Sequence, residues 1–139
     1  KSIITKENIF FDKNLNKFGM GEDQLFFSKL SNLGYEIVWS DKIKVYEKNH
    51  KRRTKIKWMI QRSYRLGVLG HYIDLELHGL FFGYIINYLK FIYYLFISIL
   101  SLTSFKESNY KYKFINFLTR AMGRLIGPFV FKKIQFYKK

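Results

Sequence analysis

The sequence predicts an α/β fold in which one helix and a short strand pair are followed by membrane-associated α-helices. Three observations support this prediction. Apolar residues recur every three or four positions after Gly21, which is the spacing of one helix face. Two runs rich in β-branched and aromatic residues, 35–39 and 42–48, have the length and composition of strands. The stretch 80–103 contains only one charged residue, Lys90, and is long enough to enter a membrane.

The composition restricts the classes of partner. The chain has 139 residues, which suits one modest domain or part of a larger one, and it contains no cysteine, which excludes disulfides and thiolate metal sites. A formal net charge of +15 favours an anionic partner, either nucleic acid or a membrane surface. Aromatic residues crowd into 80–105 and 110–137 instead of interleaving with basic residues, so we expect an anionic membrane and no nucleic acid. Because Lys1 comes first and no signal peptide follows, we expect the chain to begin in mid-sequence.

Local signals predict the elements of the first half. A helix begins after Gly21, and Gly34 is well placed to end it in a left-handed conformation. The apolar stripe of this helix consists of Leu25, Phe26, Leu30 and Leu33. The segments YEIVW (35–39) and KIKVYEK (42–48) are joined by a polar SDK turn, which predicts two short strands.

The second half reads as helix. One helix is predicted from Arg53 to about His78, with a bend or division at Gly67 and Gly70. At about 1.5 Å per residue, the stretch 80–103 measures roughly 36 Å, which suffices to cross a ~30 Å hydrocarbon core with tilt. Because core helices of soluble proteins seldom stay apolar on every side for this length, we expect this stretch to be embedded in a membrane.

The segment 114–131 has the periodicity of an amphipathic helix. Arg120 and Arg124 are one turn apart on its polar side, where they are well placed to meet phosphate headgroups. Pro128 is expected to end or kink the helix. Gly123 and Gly127 are small residues one helical turn apart. Such a pair allows another helix to approach closely. The alternative is a soluble helix packed on the rest of the domain.

Basic residues flank the apolar stretch on both sides and constrain its topology. Residues 42–65 contain ten Lys and Arg, and residues 106–139 contain nine. Because basic flanks prefer the cytoplasmic side, a single complete crossing would place one group on the wrong side. We therefore expect a re-entrant or hairpin arrangement that pairs 80–104 with 114–131, or a helix lying in the membrane plane.

Two adjacent carboxylates, Glu22 and Asp23, follow the glycines of the sequence GMGEDQL. Acidic side chains at a helix start satisfy free N–H groups and suit the helix dipole, so capping is one interpretation. The other is general-base catalysis, in which a carboxylate facing a pocket deprotonates an attacking hydroxyl. Flanking glycines permit a tight turn and leave room for a substrate beside the carboxylates.

A cationic run, HKRRTKIKWMIQRSYRLG, precedes the apolar stretch. On a helix, Arg62 and Arg65 share a face, with Gln61 adjacent. Two such arginines are able to hold a diphosphate and to stabilise charge developing on a departing phosphate. The alternative is a solvated face or a patch at a membrane surface, which we prefer for the lysines.

The order of these motifs resembles the C-terminal part of a membrane-associated bacterial family 2 glycosyltransferase. GEDQLFFSKLSNLGY is followed by the predicted strands, by VYEKNHKRRTKIKWMIQRSYRLG, and later by RAMGRLIG. The resemblance implies a GT-A, Rossmann-like fold, with residues 1–70 forming the C-terminal, acceptor-side portion of the catalytic domain. A membrane-associated helical region would follow at 71–139, with a hydrophobic segment at 80–104 and an amphipathic one at 114–131.

The resemblance also implies roles for individual residues. Asp23 would be the base in an inverting transfer, and Glu22 would support the acceptor or the geometry. The sequence RSYRL is similar to the family motif (Q/R)xxRW, which places Arg62 and Arg65 near the donor diphosphate. Leu66 replaces the tryptophan of that motif, so this match is partial.

Family members bind the nucleotide and a divalent metal, Mg or Mn, through an N-terminal half that bears an Asp-x-Asp motif. The chain contains no Asp-x-Asp, so we expect no metal ligand within it and no activity of this fragment alone. The resemblance implies a nucleotide-sugar donor, a glycan or lipid-linked acceptor, and cell-surface polysaccharide synthesis at the cytoplasmic face of a bacterial inner membrane. The alternative is a non-enzymatic, basic membrane-anchoring protein.

Overall fold

The computed structural model describes residues 6–16, 19–46, 51–103 and 109–135, and the regular structure of these residues is entirely helical. The elements are α1 (Lys13–Asn16), α2 (Glu22–Asn32), a 3₁₀ turn (Lys51–Thr54), α3 (Ile56–Ser101) and α4 (Tyr110–Gln135). The chain divides into two compact units, 1–49 and 50–139.

The predicted α/β class is wrong, because the residues that the structure describes contain no strand. Residues 35–46 are irregular, with a turn at 41–42, while residues 47 and 48 lie outside the described part of the chain. Trp39 and Val45 are 87% and 86% exposed. Strand propensity reflects packing on a pleated, half-buried surface, and an isolated strand pair is marginal in water. The described residues offer this segment no third strand, so its β-type composition is not realised.

Helix α2 is the main element of the first unit and forms where the sequence predicts it. Gly21 precedes it with φ 92° and ψ −11°, a left-handed conformation that favours glycine. The buried residues of this unit include three from the predicted stripe, and the set is Leu15, Leu25, Phe26 and Leu30. The ring of Phe11 stacks on that of Phe26 at 4.6 Å between centroids. Gly34 follows the helix with φ 85°, as predicted.

Helix α3 reverses direction at Gly79. The backbone there has φ 74° and ψ 177°, a region that is essentially restricted to glycine. A Cβ atom built on Gly83 would lie 2.8 Å from the Cα of Leu75, whereas eight residues along a straight helix measure about 12 Å. The segments 56–78 and 80–101 are therefore separate helices that run antiparallel. The predicted bend at Gly67 and Gly70 is wrong, since both residues lie within continuous helix.

Helix α4 packs along both segments of α3. Its first turns lie beside both ends of α3, since Ser63 bonds to Asn116 and Ser98 Oγ donates to the Phe114 carbonyl at 3.1 Å. Further along, Gly67 meets Gly123 and His71 meets Gly127. Helix α4 thus runs parallel to 56–78 and antiparallel to 80–101. The expected pairing of the apolar stretch with 114–131 is present in the described residues, through Asn87 with Arg124 and Ser98 with Phe114. The predicted glycine pair, Gly123 and Gly127, allows close approach to the other segment, 56–78.

Pro128, which was expected to end or kink the helix, lies inside α4, and the helix continues past it to Gln135. A proline leaves the carbonyl four residues earlier without its helical donor. That carbonyl belongs to Arg124, and it accepts a hydrogen bond from Asn87 Nδ2 at 3.3 Å. A side chain of the neighbouring segment therefore replaces the missing backbone donor.

Candidate functional site

The acid pair lies in the first turn of α2. Asp23 is exposed, and its Oδ1 accepts a hydrogen bond from the backbone N–H of Gln24 at 2.7 Å. Helix α2 has no side-chain cap at Gly21. Among the described residues, no second partner binds the Asp23 carboxylate. One carboxylate oxygen of Asp23 thus supports the helix start, and the other is available to a ligand.

Glu22 lies in a different environment from Asp23. Its Oε2 atom is buried and has no hydrogen-bond partner among the described residues. A buried polar atom without a partner costs about 1–3 kcal/mol, and native structures contain few of them. The pair therefore combines the exposed carboxylate of Asp23, which a ligand hydroxyl is able to reach, with a buried oxygen of Glu22 that lacks a donor.

A cationic groove lies in the second unit, between the first turns of α3 and the middle of α4. It has a volume of about 270 Å³ and no acidic residue in its lining. Its polar and aromatic lining residues are Trp58, Arg62, Ser63, Asn116 and Arg120. The Arg62 guanidinium lies 5.1 Å from the Trp58 ring centroid, and that of Arg120 lies 5.4 Å from the Tyr94 ring centroid. Arg120 Nε is buried without a hydrogen-bond partner.

The residues predicted to bind the donor diphosphate are only partly brought together. Arg62 lines the groove, but Arg65 does not; its Nε donates to the Gln61 carbonyl at 3.4 Å. The Gln61 side chain is exposed and also lies outside the groove lining. The second guanidinium of the groove comes instead from Arg120, which the sequence assigned to phosphate headgroups.

A buried ionic cluster, which the sequence did not predict, connects all three helical segments. Asp74 is 2% exposed and binds Lys90 Nζ at 2.6 Å and Arg124 Nη1 at 2.5 Å. Arg124 is 6% exposed and also donates to Asn87 Oδ1 at 3.2 Å. The sequence placed Arg124 at phosphate headgroups; the structure places it in this cluster. The available signal was the isolation of Asp74 and Lys90 in apolar sequence, because charges in such segments generally pair.

The segment 80–101 presents an apolar belt to its surroundings. Large exposed side chains recur along it, and the belt comprises Leu80, Phe81, Phe82, Tyr84, Ile85, Tyr88, Leu89, Ile92, Tyr93, Phe96, Ile99 and Leu100. About a tenth of the most apolar stretch of α3 is buried. Among the described residues, α3 alone contains a stretch that is long and apolar enough, by length and composition, to cross a membrane. Exposed apolar surface of this extent indicates a membrane or protein contact.

A hydrogen bond to Glu7 raises the pKa of one phenol in the first unit, that of Tyr35. Tyr35 donates to Glu7 Oε1 at 2.6 Å. This hydrogen bond to the carboxylate is the main reason that the pKa of Tyr35 lies above its usual value, since ionisation would remove the donor.

Within the described residues, no group of three or more His, Cys, Asp or Glu side chains is placed to hold a metal ion. The divalent metal that the resemblance implies is therefore not provided with a ligand set by these residues. Comparison with known proteins found no matching protein family, no matching curated protein and no matching solved structure.

Proposed function

We propose that this chain is the acceptor-side and membrane-associated part of an inverting glycosyltransferase of family 2. The supporting observation is the acid pair, in which Asp23 keeps one carboxylate oxygen available beside a Glu22 oxygen that lacks a donor. The ordered motifs of the sequence supply the reaction class. A sugar acceptor carries several hydroxyl groups, and carboxylates accept hydrogen bonds from hydroxyl groups.

In the proposed reaction, an acceptor hydroxyl donates its hydrogen bond to the available oxygen of Asp23. The hydroxyl oxygen attacks the anomeric carbon of the donor sugar, and the bond from that carbon to the nucleoside diphosphate breaks. The proton passes to Asp23, and the nucleoside diphosphate departs as the leaving group. Glu22 positions the acceptor by accepting a second hydroxyl. The divalent metal and the nucleotide would be held by a donor-binding half outside this chain.

The membrane is the second part of the proposal. Exposed cations lie at one end of the helical assembly, where Ser63, Ser98 and Asn116 meet, and they include Lys57 and Arg62. At the Gly79 end, the exposed side chains are the apolar residues of 80–82 together with Glu76 and His78. We propose that the apolar belt of 80–101 contacts the bilayer interior while the cationic end remains at an anionic, cytoplasmic surface. Lys111 and Lys113, at the start of α4, then lie on the same side as the first basic flank.

The substitution Asp23→Asn in the full-length protein tests the catalytic role. It keeps the shape of the side chain and an acceptor for the Gln24 N–H, but removes the base. We expect release of nucleoside diphosphate from a panel of nucleotide sugars, with membrane glycolipids as acceptors, to fall by roughly 10²–10⁴-fold. Membrane binding, measured by vesicle flotation, should be unchanged. Asp41→Asn is the matched control, since Asp41 is an exposed carboxylate of the same unit that accepts a bond from Trp39 Nε1 at 2.9 Å.

The second candidate function is a non-enzymatic, basic membrane anchor. The apolar belt and the adjacent cations favour it, because neither feature requires catalysis. In an anchor, the acid pair would only support the start of α2. Asp23→Asn would then alter neither turnover nor flotation, whereas loss of turnover with normal flotation supports the transferase.

A further inference from the structure

We propose that the cationic groove between α3 and α4 is a binding site for the phosphate group of a membrane lipid, with Arg62 and Arg120 as the phosphate ligands. This proposal goes beyond the transferase, because the same groove would serve a membrane anchor. It also differs from the sequence prediction, in which Arg62 acts together with Arg65.

Both guanidinium groups are oriented before any ligand arrives. Arg62 lies over the Trp58 ring and Arg120 lies over the Tyr94 ring. Each aromatic ring restricts the rotation of the guanidinium group that it contacts. Arginine donates hydrogen bonds through a rigid fork that matches phosphate oxygens. Orientation in advance reduces the entropy that binding removes. The arrangement therefore favours an oxyanion over a neutral ligand.

The groove also lacks the groups that would satisfy these arginines internally. Its lining contains no carboxylate, and the buried Nε of Arg120 has no partner among the described residues. The buried carboxylate of the same unit, Asp74, is already bound by Lys90 and Arg124. A phosphate oxygen is the complement that this charge distribution lacks. The Ser63 and Asn116 side chains in the lining add neutral polar contacts.

The surroundings of the groove favour a lipid over a soluble phosphate. The apolar belt of 80–101 passes the level of the groove and continues toward Gly79, since Tyr93, Ile92 and Leu89 are exposed. Arg120 contacts Tyr94, which is on the segment that bears the apolar belt. A phosphate in the groove thus has apolar surface beside it, as expected for a headgroup whose acyl chains continue into the bilayer.

The fluorescence of Trp58 provides a direct assay. The chain contains two tryptophans, so Trp39→Phe leaves Trp58 as the reporter in the groove. The full chain in non-ionic detergent micelles is titrated with phosphatidic acid, with diacylglycerol of the same acyl chains, or with soluble pyrophosphate at constant ionic strength. We expect a saturable change with phosphatidic acid and none with the other two compounds.

Substitutions then assign the ligands. Arg62→Gln and Arg120→Gln should each raise the half-saturating mole fraction of phosphatidic acid by roughly tenfold or more, because each removes charge-assisted hydrogen bonds. Lys57→Gln removes an exposed cation of the same helix that lies outside the groove, and should change it by about threefold or less. Far-UV circular dichroism checks the folding of each variant. If Arg120→Gln does not fold, Arg62→Gln still tests the proposal, because Arg62 is exposed and its replacement should not affect folding.

Three outcomes would overturn the assignment. An equal response to diacylglycerol would show that phosphate is not recognised. Saturation by pyrophosphate at a concentration comparable to that of phosphatidic acid would assign the groove to a soluble phosphate. An equal loss of affinity for phosphatidic acid in Lys57→Gln and Arg62→Gln would show that the binding depends on general surface charge and not on the groove.

Discussion

Replacement of Asp74 by Asn should be the most destabilising single charge change in the second unit. Asp74 is 2% exposed, and its two carboxylate oxygens bind cations from two different segments, Lys90 at 2.6 Å and Arg124 at 2.5 Å. The amide is similar in shape but carries no charge. Arg124, which is 6% exposed, would then keep only the neutral Asn87 as a side-chain acceptor at 3.2 Å.

The magnitude follows from which charge is left without compensation. Removing one partner of a buried ion pair typically costs 3–5 kcal/mol, and we expect about 3–4 kcal/mol for Asp74→Asn because half-buried Lys90 is able to turn outward. Arg124→Met should cost roughly 1–3 kcal/mol, since Asp74 retains Lys90. The double variant should be less destabilised than the sum of the two single variants, because no unpaired buried Arg124 charge remains.

Guanidinium unfolding in detergent micelles, followed by far-UV circular dichroism, measures these differences. Glu36→Gln removes an exposed carboxylate and should change the free energy of unfolding by about 0.5 kcal/mol or less. If Asp74→Asn shifts the transition no more than this control does, the cluster does not hold the helices together. Strict additivity in the double variant would likewise show that Asp74 and Arg124 do not interact.

Two further predictions test the helix arrangement and its environment. Ser63→Cys combined with Asn116→Cys should form a disulfide under mild oxidation, because these two side chains are in contact and the chain has no other cysteine. The control combines Asn116→Cys with Gln61→Cys, since Gln61 is exposed. Equal disulfide yields from the two pairs would contradict the parallel packing. In reconstituted vesicles, a cysteine at exposed Leu89 should resist a water-soluble maleimide while one at Lys57 reacts; equal labelling would place the apolar belt in water.

The elements that local chemistry specifies were predictable from sequence. Helix α2 is bounded by two glycines with positive φ, Gly21 and Gly34, and its apolar spacing matches one face. The pairing of Gly123 with another helix was also predictable, because a small residue is the requirement for close approach. In each case, the determining interaction lies within a few residues or follows from size alone.

The predictions that failed depend on partners distant in sequence. Residues 35–46 have strand composition, but a strand needs a neighbouring strand and a face to cover, and the described residues supply neither. Pro128 was expected to end or kink α4, but the helix continues past it, and Asn87 supplies the missing donor to the carbonyl of Arg124. The reversal at Gly79 was missed because glycines also occur within continuous helix at Gly67 and Gly70. Only tertiary contacts distinguish these glycines.

The candidate sites divide in the same way. The acid pair was identified because adjacent carboxylates after a glycine turn are a local pattern, and its role remains a prediction. The groove was half identified: Arg62 is in it, but its second arginine comes from a helix more than fifty residues later in the chain. Helical spacing within one segment cannot identify a ligand that another segment contributes.

The ionic cluster and the apolar belt have a common physical basis, which is the cost of an unpaired charge in an apolar environment. Each of the three segments contributes one charged residue to the cluster, and each would be costly in a lipid environment without its partners: Asp74, Lys90 and Arg124. When the segments assemble, these charges face one another, and the side chains left outside on 80–101 are predominantly apolar. The glycines at the contacts let the backbones approach closely enough for this pairing. In the proposed membrane-bound state, separating any one of the three segments would leave one of these charges without its partners in hydrocarbon.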